Sequence, residues 1–116
     1  MKVLSFAITG LTILAGAPAA LAAPDVYTNA WLEGRDLASC LARAKEVATQ
    51  NGFKNDHETV MDDDRKAASF FANSDSLPLA LTVRCRPTEG LISIGVAGNG
   101  DNTRTFRVFD KVVKDY

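Results

Sequence analysis

The longest regular pattern of apolar positions lies between residues 36 and 51. Leu37, Cys40, Leu41, Ala44, Val47 and Ala48 recur at three- and four-residue spacing, which is one stripe along a helix. Asp36 stands where an N-cap carboxylate accepts from the free amides of the first turn. Gly52 follows Asn51, where a helix end needs a residue free to turn left-handed. The pattern predicts a helix over Asp36 to Asn51.

A period of two takes over at Leu79. Leu79, Leu81, Val83 and Cys85 alternate with Ala80, Thr82, Arg84 and Arg86, and Pro87-Thr88-Glu89-Gly90 supplies a turn. With those four residues as the loop, Arg86 faces Leu91, Cys85 faces Ile92, Arg84 faces Ser93, Val83 faces Ile94, Thr82 faces Gly95 and Leu81 faces Val96. Cross-strand partners share a face, so one face of this hairpin is wholly apolar. The other carries Arg84, Arg86, Ser93 and Gly95. A slip of one residue would mix the two sets, which specifies the register.

The remaining segments carry weaker patterns. Val26 to Leu32 mixes β-branched and aromatic residues and reads as a strand. Its inward side is open between Tyr27/Trp31 and Val26/Ala30/Leu32. Residues 53–72 favour two short strands, about His57–Met61 and Lys66–Phe71, joined at Asp62-Asp63-Asp64-Arg65; a helix over part of this run is the alternative. Thr103 to Tyr116 reads as a final helix with Phe106, Phe109, Val113 and Tyr116 on its stripe; a strand over Thr103–Phe109 is the alternative for its beginning.

The order β-α-β-β-β-β-α predicts an α+β fold: a two-layer sandwich, with an antiparallel sheet of four to five strands and two helices on one face. The other sheet face is expected to stay open.

The first 22 residues change the picture of where the chain works. Met1-Lys2 is a positive start, Val3 to Leu14 carries no charge, and Ala20-Leu21-Ala22 fits a signal-peptidase site before Ala23. The uncharged run is too short for the roughly 20 residues a bilayer span needs. Residues 1–22 are therefore expected to be a signal peptide and 23–116 a single domain. The expected location is periplasmic or secreted, with no membrane span after cleavage.

An oxidising compartment gives the two cysteines a role. Cys40 lies on the helix stripe and Cys85 on the apolar hairpin face, so both belong to one layer, and a Cys40–Cys85 disulfide is expected. A redox dithiol would sit closer, as C-x-x-C.

Composition narrows the chemistry further. Among 116 residues, 13 Lys+Arg balance 14 Asp+Glu, which removes the general electrostatic case for nucleic acid. Two Cys and one His are too few for multi-Cys zinc or iron–sulfur sites. Asp56-His57-Glu58 with Asp62-Asp63-Asp64 is a carboxylate-rich stretch, but it lacks an EF-hand spacing, and the solvated strand end and acidic turn are the favoured reading. Gly95-Val96-Ala97-Gly98-Asn99-Gly100 has the wrong spacing for a dinucleotide loop and reads as a tight strand-to-helix turn. No cofactor, metal or catalytic set is expected.

Arg84 and Arg86, beside small Ser93 and Gly95, form the candidate binding residues, because guanidinium forks suit carboxylates and phosphates. The function expected is a small exported binding or inhibitor-like module, engaging an envelope or secreted protein or an anionic ligand through the open sheet face. The runners-up are an extracytoplasmic hydrolase using paired carboxylates and a structural envelope protein.

Overall fold

The computed structural model describes residues 23–116; the expected signal peptide lies outside them. The elements are β1 (Asp25–Leu32), α1 (Leu37–Gln50), β2 (Asn55–Met61), β3 (Ala68–Asn73), β4 (Ala80–Arg86), β5 (Leu91–Gly98) and α2 (Asn102–Asp115). The strands form one antiparallel sheet in the order β1-β5-β4-β3-β2, with β4 in the middle.

Helix α1 follows its sequence pattern closely. The Asp36 side chain accepts from the Ser39 amide at 2.8 Å, and Gly52 takes φ +82° just past the end. Cys40, Ala44, Val47 and Ala48 are buried. The β4–β5 hairpin pairs Arg86 with Leu91, Cys85 with Ile92, Arg84 with Ser93 and Val83 with Ile94, the register its alternation implies. Its turn is a 3₁₀ turn over Pro87–Glu89, closed by Gly90 at φ +62°.

Both helices lie on one face of the sheet. The core joins Ala44 and Val47 of α1 and Phe109 and Val112 of α2 to Phe70, Leu81, Val83, Ile92, Ile94 and Val96. Residues 53–72 hold strands, not a helix, as β2 and β3 pair from Glu58↔Phe71 to Met61↔Ala68. The turn between them places Arg65 at φ +57°.

Two sequence expectations resolve or shift. In β1 the core-packed residues are Tyr27 and Trp31, while Val26 and Leu32 are exposed. In α2 the buried positions are Thr105, Phe109 and Val112; of the expected stripe Phe109 is buried, Val113 and Tyr116 pack partly buried against the core, and only Phe106 departs from it. Phe106 is instead half exposed and meets Tyr27 edge-on, at 5.2 Å between ring centroids. The reason lies in the strand below. Gly98 has no side chain, and Thr105 packs into the space this leaves, so the first inward position of α2 is Thr105 and not Phe106.

The Cys40–Cys85 disulfide joins α1 to β4, with Cα atoms 6.1 Å apart. It crosses the layer between helix and sheet, and both cysteines are buried.

Candidate functional site

The sheet face opposite the helices carries no covering element among the described residues. Because cross-strand partners share a face, the register maps it directly. One row runs Thr28–Gly95–Thr82–Phe71–Glu58 and the next Ala30–Ser93–Arg84–Ser69–Val60, each crossing all five strands. Both rows lie opposite the core residues that alternate with them along each strand.

The four residues singled out from sequence all lie on this face. Ser93 and Gly95 form the floor of a shallow groove of about 260 Å³ along β5, walled by Val26 and Thr28 on one side and Ala80 and Thr82 on the other. Gly95 has no positive φ; its part is to lower the floor. A side chain there would begin 3.4 Å from the Thr28 methyl.

Arg84 and Arg86 are held within the chain. The Arg84 nitrogens donate to both Asp62 oxygens at 2.6 and 2.5 Å and to Ser69 Oγ at 3.2 Å. This fork geometry uses the planar guanidinium fully. The Arg84 hydrogen bond holds the Asp62 carboxyl below its ordinary range, and Asp62 in turn raises Arg84. Arg86 pairs with Glu89 at 2.6 Å. The sequence expectation of two uncommitted forks therefore changes: the acidic turn Asp62-Asp63-Asp64 and the hairpin turn supply internal counter-ions. The Asp62 partner was not legible beforehand, because it reaches Arg84 across β3 only once the sheet order is set, whereas Glu89 lies only three residues from Arg86.

Sequence reasoning also missed the apolar character of this face. Among the described residues, four of the six exposed large hydrophobic side chains, Val26, Leu32, Val60 and Phe71, belong to the open face. Their strands had ambiguous or weak alternation, so the outward set was hidden.

Other constellations are accounted for by contacts inside the fold. His57 Nε2 lies 2.6 Å from the Phe53 carbonyl oxygen, and its ring meets Phe70 edge-on. Among the described residues no group of three or more His, Cys, Asp or Glu is arranged to hold a metal ion. The loop before α2 presents the Gly100 amide, but this donates to Asp25 at 2.6 Å, and the Asp101 side chain caps Arg104. The helix start thus already holds carboxylates of its own chain, as the positive end of the helix dipole favours. A second cleft lies between β1 and the end of α2, where Trp31, Glu33, Arg35 and Tyr116 converge. Arg35 pairs with Glu33 and lies over the Tyr116 ring. Burial, with the Glu33 charge, pushes the Tyr116 phenol up to about 12.

Comparison with family models, with curated proteins and with solved structures finds no match.

Proposed function

We propose that this chain is a small exported binding module, held by one disulfide, that engages a protein partner through the open face of its sheet. One observation carries the reading. Both helices cover one sheet face, while the other exposes Val26, Leu32, Val60 and Phe71 and carries a groove floored by Ser93 and Gly95, with Val26 in its wall. An uncovered sheet face that carries several exposed apolar side chains is a candidate interaction surface.

The internal pairing of Arg84 and Arg86 moves the reading away from an anionic ligand and toward a protein surface of mixed apolar and polar character. Export is supported by the Met1–Ala22 pattern and by a disulfide, which persists in oxidising compartments. No helix among the described residues is long and apolar enough to cross a membrane.

The test is site-directed photo-crosslinking in the producing cell. A photo-reactive group at Thr82, in the middle of the open face, should give a discrete protein adduct. The same group at Lys45, exposed on α1, should not. Adducts only from the helix side would overturn the reading.

A further inference from the structure

The open face is self-complementary about its central strand. β4 is the third of five strands, so β5 and β3 flank it at equal distance, and so do β1 and β2. In the row Thr28–Gly95–Thr82–Phe71–Glu58 the bulk is lopsided. Phe71, 38% exposed, stands one strand from Thr82 on one side. Gly95, in the groove, stands one strand from it on the other.

A two-fold axis parallel to β4, lying in the plane between two such faces, exchanges these flanks. It puts a ring over a hole, and the hole under a ring. We propose that two copies of this chain pack sheet against sheet about this axis, with Phe71 of each copy seated over Gly95 of the other. This rests on the reading of the open face as a docking surface, and names its occupant.

The neighbouring positions agree. The same axis places Thr28 over Glu58, a hydroxyl opposite a carboxylate, and Ala30 over Val60, small opposite branched. Self-complementarity of this kind is what a closed two-fold interface requires.

Charge also favours a like partner. Arg84 and Arg86 already have counter-ions within the chain, so a strongly charged partner would have to compete with Asp62 and Glu89. The two Arg84 side chains approach each other beside the axis. Each leans away from it toward Ser69 and carries both oxygens of Asp62, which cancels the local charge.

Size points the same way. Five strands about 4.8 Å apart, with about three to four outward residues each, present on the order of 550 Å² in projection. A standard interface buries about 800 Å² of accessible surface per partner, and a corrugated face exceeds its projection. A single helix, about 10 Å wide, would leave half the face uncovered. A second sheet, packed about 10 Å away, covers it.

Sedimentation velocity on the purified protein from about 1 to about 100 µM is the test, with Phe71→Ala and Gly95→Leu alongside. The wild type should show a concentration-dependent dimer, and each substitution should weaken it by about tenfold or more. Phe71→Ala removes a ring that is 38% exposed; circular dichroism at about 1 µM checks that the variant folds, since association itself raises the wild-type melting temperature, and it carries the test alone if Gly95→Leu does not fold. A monomer throughout the range, or a dimer that Phe71→Ala leaves unchanged, overturns the inference. The Thr82 crosslink separates the two readings. An adduct of twice the chain mass supports the second copy. An adduct with a different protein, from a chain that sediments as a monomer, overturns the second copy and leaves the open face standing. Absence of any Thr82 adduct removes both.

Discussion

Arg84, in the central strand, holds both carboxylate oxygens of Asp62 at 2.6 and 2.5 Å, reaching across β3 to the turn after β2. The pair ties the acidic turn to the open face. Its sequence separation of 22 residues gave no local hint of the contact.

The contact predicts an acid sensitivity. The Arg84 hydrogen bond lowers the Asp62 carboxyl from its ordinary 3.8. Asp25 is lowered by the Thr105 hydroxyl, Asp36 by the Ser39 amide and Asp115 by Lys111. A carboxyl depressed in the folded state binds its proton less readily there than in the unfolded chain. Its stabilisation is therefore complete above the unfolded value and is lost as pH falls through the folded one. Urea unfolding midpoints should be insensitive to these groups from about pH 5 to 7 and should fall below about pH 4. The Asp62→Asn protein should lose less over the same acid range than the wild type. An equal loss would mean that the pair does not contribute.

The disulfide should dominate the stability. Cys40 and Cys85 are 45 residues apart, and closing that loop contributes roughly 4 kcal/mol in the chain-entropy account. Cys85→Ala should cost about 2–5 kcal/mol by denaturant unfolding. Peptide mapping without reductant should find the two cysteines linked.

Two glycines should respond in opposite ways to the same added methyl. A Cβ on Gly98 would overlap the Thr105 hydroxyl and come within 2.7 Å of Asp25 Oδ2. Gly98→Ala should therefore destabilise by about 1–3 kcal/mol through overpacking where α2 meets β5. Gly34 has nothing within 4 Å and no positive φ. Gly34→Ala should stay within about 0.5 kcal/mol of the wild type. Thermal or urea melts of the two variants side by side decide this.

Processing offers a check independent of the fold. The Met1–Ala22 pattern predicts that the exported protein begins at Ala23. Intact-mass measurement of the exported fraction should give the mass of residues 23–116. Retention of Met1 there would remove the compartment argument, and with it the reason to expect oxidised cysteines.

The sequence by itself determined the parts whose pattern is locally complete. Helix α1 has a full apolar stripe, a capping Asp36 and a terminating Gly52, so its limits and its buried face need no outside partner. The β4–β5 hairpin has strict alternation on both sides of a short turn, so one residue of slip would bury Arg84 and expose Val83. With both faces assigned, the Cys40–Cys85 link followed from two separate periods. Tertiary structure decided wherever two faces were nearly equal. β1 can bury Tyr27 and Trp31 or Val26 and Leu32; pairing with β5 beneath α2 selects the aromatic pair. In α2 the spacing allows Phe106 or Thr105 on the inner side, and the space above Gly98 admits the threonine. The candidate site lies in this second category. Its Arg84–Asp62 pair, its groove at Gly95 and its exposed Phe71 come from strands far apart in the chain, and only the sheet order makes them neighbours. Periodicity reports which way a side chain points relative to its own element. It does not report which element stands beside it, and a binding face is made of such neighbours.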